Sequence, residues 1–174
     1  MTTVGAGFPH ALGDWILQGG HSMLVFESRF RVEAPLEAVS AFHSQTGILK
    51  ALTPPMMIMQ VHRFDPLAEG SIGDFTIWMG PIPVRWKARH EGVTAEGFWD
   101  IQVSGPMKSW RHSHRYVRVG ECVTEVRDRI EYEHDSGLRG LWSRLLFPRP
   151  ALRVLFLYRA WATRRGVRRM QAAG

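Results

Sequence analysis

Cysteine is nearly missing from this chain, and long apolar runs are missing altogether. The single cysteine, Cys122, cannot close an internal disulfide, which suits a reducing compartment and predicts a cytoplasmic protein. It falls in a strand-like run and reads as an inert strand residue rather than a nucleophile; no CxxC or zinc-type spacing accompanies it. No apolar stretch approaches the roughly 20 residues of a membrane-spanning helix. GxGxxG, P-loop and GxSxG motifs do not occur, so no cofactor is expected. Acidic residues stop at Asp135. Up to that point thirteen basic and sixteen acidic residues nearly balance, and beyond it stand nine arginines and no acid. The net charge of +6 therefore belongs to the C-terminal part. No nucleic-acid-reading motif goes with it, so a nucleic-acid partner is not expected.

What is present fits one globular domain. At 174 residues and 45% hydrophobic content the chain can bury a sizeable core. Residues 1–22 are glycine-rich and read as an N-terminal extension, with a short packed helix as the alternative; no basic segment precedes Trp15-Ile16-Leu17 to make it a signal peptide. The domain is expected over 23–170, with a tail at 171–174.

Leu24–Ala34 alternates and predicts a strand. Pro35 then suits the start of a helix through Leu36, Val39 and Phe42, which Gly47 ends. A second short helix, ILKAL, stops before Pro54-Pro55. Six further strands are expected: Met56–Phe64, Ser71–Met79, Val84–Val93, Gly97–Ser104, Ser109–Val119 and Cys122–His134. Short turns join them, so neighbours should be antiparallel. Pro150–Met170 reads as one long helix, with Gly166 its only glycine. This order gives an α+β class: a curved antiparallel sheet of about seven strands, two short helices and a long C-terminal helix over the space between. One helix covers a bent sheet incompletely, and the remainder is a natural ligand cavity.

The order, with the segment VEAPLEAVSAFHS, resembles the START and pollen-allergen superfamily, also called SRPBCC or polyketide cyclase-like. FHSQTGILKALTPP (42–55), GFWDIQVSGPMKSWRHSHRY (97–116), TEVRDRIEYEH (124–134) and LFLYRAWATRR (155–165) are similar to its bacterial ligand-binding domain found alone or fused to epimerase-like domains. The similarity spans about Leu24 to Arg165. It implies a helix-grip fold and an apolar ligand, and leaves catalysis open.

Strand parity sorts the polar groups. Trp110, His112, His114 and Tyr116 share one face of their strand and should look inward. So should Asp128, Ile130 and Tyr132, whose opposite face is charged, and Trp86, Ala88 and His90. The strand 97–104 is ambiguous: hydrophobicity would bury Trp99, Ile101 and Val103, whereas the resembled pattern turns Phe98, Asp100 and Gln102 towards the histidines. Asp100, Asp128, His112 and His114 then form either a self-satisfied buried network or an acid–base group. Two histidines at i,i+2 without a third fixed ligand are a poor metal signature, and no metal is expected. On the last helix, Leu152, Leu155, Phe156, Arg159, Thr163, Val167 and Met170 form the inward stripe. Arg159 there needs a partner, a carboxylate or an anionic head group, unless it reaches the rim.

Expected ligand contacts are Trp86, Phe98, Gln102, Trp110, His112, His114, Tyr132, Phe156 and Arg159. Met56, Met57 and Met59 are read either as ligand-lining or as plain core. Val154, Leu157 and Trp161, flanked by arginines and joined by Gly140–Phe147, suit an anionic membrane surface, a homodimer contact or the core. Two functions follow: a carrier or sensor of a small hydrophobic or amphipathic, lipid- or polyketide-like molecule, or a cyclase- or dehydratase-like enzyme using the His–Asp cluster.

Overall fold

A computed structural model describes residues 23–173; the expected N-terminal extension lies outside the described residues. Seven strands form one antiparallel sheet. They are β1 (Leu24–Val32), β2 (Met57–Phe64), β3 (Ile72–Met79), β4 (Ile82–Thr94), β5 (Gly97–Ser104), β6 (Ser109–Gly120) and β7 (Val123–Glu133). Their spatial order is β1-β7-β6-β5-β4-β3-β2, so the consecutive strands β1 and β2 stand at opposite edges. The helices α1 (Leu36–His43) and α2 (Ile48–Ala51) make that crossing. The connections expected from β2 to β7 each join antiparallel neighbours, though the one between β2 and β3 is a longer loop over 65–71.

Two helices follow the sheet: α3 (Gly137–Leu146) and α4 (Arg149–Ala173). The sequence reading missed α3 as a helix. Its apolar residues face out: Leu138, Leu141, Trp142 and Leu145 are exposed, and only Gly140 and Ser143 are buried. Helix α4 runs past the expected end at Met170 to Ala173, into the expected tail. Its buried face carries Leu152, Phe156, Thr163 and Val167, as the stripe predicted, together with Ala160 and Ala162. Gly166 lets α4 meet α1, because a Cβ there would collide with the ring of Phe42.

The interior divides into two apolar clusters. One joins β1, α1 and the C-terminal half of α4 through Val32, Val39, Phe42, Val126 and Val167. The other is aromatic and includes Phe26, Phe75, Trp86, Trp110, Tyr132, Phe147 and Phe156. Full burial of a side chain such as Val39, Ile130 or Val167 contributes about 1.5–3 kcal/mol. Cys122 lies in the β6–β7 turn and is exposed, not within a strand as expected.

Candidate functional site

The site grows from the parity of three adjacent strands. On β6 the alternation puts Trp110, His112, His114 and Tyr116 inside and Arg111 and Arg115 outside. On β7 it buries Val126, Asp128, Ile130 and Tyr132. Strand β5 turns Phe98 inward, with Asp100 and Gln102 on the same face. Trp99 lies on the outer face instead, beneath the Arg111 guanidinium at 5.0 Å. This settles the strand that hydrophobicity alone left ambiguous. Gly97 opens β5 at φ +141°, and a side chain there would strike the carbonyl oxygen of His114.

Register then assembles the polar cluster. Asp100 pairs with His112 across β5–β6, and His114 pairs with Asp128 across β6–β7. His112 Nε2 and His114 Nδ1 both donate to Asp128 Oδ1, at 3.1 and 2.9 Å. The two imidazoles lie 3.9 Å apart between ring centres, and Phe98 covers His114 at 4.6 Å. Burial would raise the Asp128 carboxyl, but the two histidine hydrogen bonds outweigh it and hold the group ionised, well below the usual carboxylate range. Burial, reinforced by neighbouring His112, pushes His114 down to about 4; burial lowers His112 also. The resting cluster is therefore one carboxylate flanked by two neutral imidazoles.

A second layer of polar groups faces this pair. Asp100 Oδ1 is buried without a hydrogen-bond partner, and burial raises its carboxyl. Arg159 is partly exposed along its length, but its Nε is enclosed and unpartnered; burial lowers its pKa, while Asp128 and Asp100 oppose that shift. Its guanidinium carbon lies 5.1 Å from the centre of the Phe156 ring. His43, from α1, is buried beside Tyr116, donates Nδ1–H to the Val39 carbonyl at 2.9 Å, and is held down at about 4 chiefly by burial. The sequence reading missed His43, whose place on the inner face of a helix is legible only as Phe42's neighbour. Asp100, His112 and His114 each bring one metal-capable donor atom within 4.8 Å of the other two.

Two spaces adjoin these residues. The inner one is about 50 Å³ and is lined by His43, Leu49, His90, Phe98, Asp100, His114 and Arg159, among others. That is room for a few waters. The outer one is an apolar mouth of about 410 Å³, lined by Pro54, Met56, Met57, Met79, Leu146, Phe147, Leu152 and Leu155, among others. It matches the size of small-molecule sites. Met56 and Met57 therefore line a space, while Met59 packs on the aromatic cluster. Leu49 borders the inner space and Leu155 the outer one, and both pack on that same cluster.

Several expected ligand contacts are not where they were expected. Trp86, Trp110 and Tyr132 line neither space. Trp86 packs on Trp110 at 5.2 Å and on Phe147 at 6.0 Å, and Trp110 packs on Tyr132 at 5.7 Å. Phe147, at the end of the unforeseen helix α3, caps this group. Phe156 is wedged between Phe26 and His112 at 5.1 and 5.5 Å. Gln102 clamps the β5–β6 turn: its Nε2 donates to the Met107 carbonyl at 2.8 Å, and its Oε1 accepts from the Met107 amide. Phe98, Asp100, His114 and Arg159 are the expected residues that do reach the inner space, with His112 and Asp128 directly behind them.

No protein-family model and no curated protein matches the chain. Solved structures do. A norcoclaurine synthase point mutant from Thalictrum flavum, in complex with a transition-state analogue, superposes with a TM-score of 0.64 at 17% identity, over 88% of this chain and 99% of that one. An aromatase/cyclase from Streptomyces sp. R1128 gives 0.64 at 18% identity, again over 88% and 99%. A nucleoside-diphosphate sugar epimerase from Corynebacterium glutamicum gives 0.59 at 24% identity over 80% of this chain, which matches only 28% of that larger protein. The chain thus shares the fold of these proteins: a curved seven-stranded antiparallel sheet with a long C-terminal helix.

Proposed function

We propose that this protein binds a small amphipathic ligand, its apolar part in the mouth beside Met57 and Leu155 and its polar end at Asp100, His114 and Arg159. One observation carries this reading: an apolar opening borders the aromatic cluster, a polar inner space borders the other apolar cluster and touches the aromatic one at Leu49, and unpartnered polar atoms, Asp100 Oδ1 and Arg159 Nε, belong to the inner site. Leu49 lines the inner space and Leu155 the outer one, and both pack on the aromatic cluster, so the ligand would pass between them. Buried polar atoms without partners are costly, and a ligand head supplies what they lack. A protein of the same fold favours the same chemistry: norcoclaurine synthase from Thalictrum flavum has been solved in complex with dopamine and hydroxybenzaldehyde.

The test is uptake of a fluorescent fatty acid, alongside native mass spectrometry of the gently purified protein before and after solvent extraction. Wild-type protein should take up the probe, and Leu155→Trp, which fills the mouth, should weaken uptake about 10-fold or more, the worth of one filled hydrophobic contact. Absence of both extractable ligand and probe uptake in folded wild-type protein would sink the reading.

The exposed apolar face supports a place of exchange. Leu141, Trp142, Leu145, Val154, Leu157 and Trp161 are exposed on α3 and α4, and Arg165 lies over Trp161 at 5.5 Å. Leu146 and Val154 line the mouth, so this face surrounds the opening. Apolar groups among acid-free arginines match an anionic lipid surface, where each arginine contributes about 1 kcal/mol. In flotation assays the protein should bind vesicles rich in phosphatidylserine and lose that binding in high salt. Trp161→Asp combined with Leu157→Asp should abolish it. Equal binding to neutral phosphatidylcholine vesicles would remove the electrostatic part of the claim.

A further inference from the structure

In sequence the two histidines of β6 lacked a third ligand. The fold supplies one from the neighbouring strand. The β5–β6 register sets Asp100 opposite His112 and Phe98 opposite His114, which brings the Asp100 carboxyl close to both imidazoles. One donor atom from each of the three lies within 4.8 Å of the others. Ligand bonds of about 2.0–2.2 Å around one ion separate donor atoms by roughly 3–3.5 Å, so closing the set needs small side-chain rotations rather than backbone movement.

Asp128 gives these imidazoles the support that metal-bound histidines usually have. A carboxylate only accepts, so the nitrogens facing it, His112 Nε2 and His114 Nδ1, carry the hydrogens. In neutral rings the other nitrogens, His112 Nδ1 and His114 Nε2, then offer lone pairs. A carboxylate behind a ligating histidine fixes its tautomer and orientation and raises its basicity. Here one carboxylate serves two histidines. An independent observation comes from Asp100: its Oδ1 is buried and has no hydrogen-bond partner among the described residues. Asp100 and His114 also line the inner space, which has room for an ion and a water.

We propose that Asp100, His112 and His114 form a binding site for a divalent transition-metal ion, with Asp128 as the group that orients both histidines. Two imidazoles and one carboxylate suit zinc, cobalt or ferrous iron. The remaining coordination positions face the inner space, beside Arg159. If the ligand reading above is right, ion and guanidinium together receive an oxygen-bearing head group; the ion site itself does not depend on that reading.

The decisive experiment is titration of the full chain with Co²⁺, after chelator treatment and without added ligand. One equivalent should bind and give visible d–d absorption, and the same ion should broaden or shift the ring signals of His112 and His114 in wild-type NMR spectra. Asp100→Ala and His114→Ala should each weaken binding by about 100-fold, and Asp128→Asn by about 10–100-fold. Ring signals of His112 and His114 untouched by Co²⁺ in the wild type would overturn the proposal without recourse to any variant. So would unchanged cobalt affinity in a folded Asp100→Ala protein. Intact fatty-acid uptake alongside either result would leave the ligand reading standing while the metal site fell.

Discussion

Replacing Asp128 with alanine should lower the stability of the fold by about 3–5 kcal/mol, the usual cost of stripping one partner from a buried charged pair. The Asp128 side chain is only 6% exposed, and His112 and His114 spend one N–H each on its Oδ1. Without it, two imidazole N–H groups are stranded in an apolar setting, at about 1–3 kcal/mol each. The substitution also removes the larger source of compensation for Arg159, which burial already disfavours as a cation. Asparagine should retain part of the stability, because its carbonyl can still accept from one ring. The measurement is a urea unfolding midpoint, with Asp65→Ala as control. Asp65 pairs with Arg63 on the surface, where solvent screens the pair, and accepts the Ile72 amide at 3.1 Å, so its loss should lower the midpoint far less than that of Asp128. A loss below about 1 kcal/mol for Asp128→Ala would mean that the histidines find other partners and that the cluster is not the keystone of the polar interior.

Much of this architecture was written in the alternation of residue types. Strand β7 places a charged residue at every second position from Glu125 to Glu133, and β6 puts Arg111 and Arg115 on one face, so a charged face leaves little choice about which face is buried. Strand β5 lacked that guide. Trp99 and Ile101 look like core, but Trp99 is accommodated outside beneath Arg111, a cross-strand contact that no single strand reveals. Helix α3 escaped notice for a related reason. Its leucines and Trp142 point to solvent, so apolar periodicity there marks an exposed face and not the core. That omission displaced the expected cavity. With Phe147 folded over Trp86, the aromatic residues foreseen as cavity walls became solid packing, and the open volume moved to the mouth near Pro54 and Leu155. The candidate site itself was half legible. Parity put His112, His114 and Asp128 inside; the convergence of both rings on one oxygen, and the arrival of Asp100 beside them, depend on register, which strand patterns do not encode.

Arg159→Met should make the protein more stable, by about 1–3 kcal/mol, while weakening fatty-acid uptake about 10-fold or more. The two effects follow from the same fact. The Arg159 Nε is enclosed with no hydrogen-bond partner, and no ion pair joins the guanidinium to Asp100 or Asp128 among the described residues. What it has is the face of Phe156 and the distant field of two carboxylates. Methionine keeps most of the apolar stem, can pack along Phe156, and needs no solvation of a charge. Asp128 would keep its two histidine donors, so losing the cation strands no partner. A residue that burdens the ligand-free fold in this way is explained if it meets an anionic or oxygen-rich head group when the mouth is occupied. Added ligand should then raise the unfolding midpoint of the wild type more than that of Arg159→Met, since ligand stabilisation grows with affinity. If Arg159→Met instead unfolds more easily yet takes up the probe as before, the guanidinium is a prop for the helix and the polar end of the ligand must be received elsewhere.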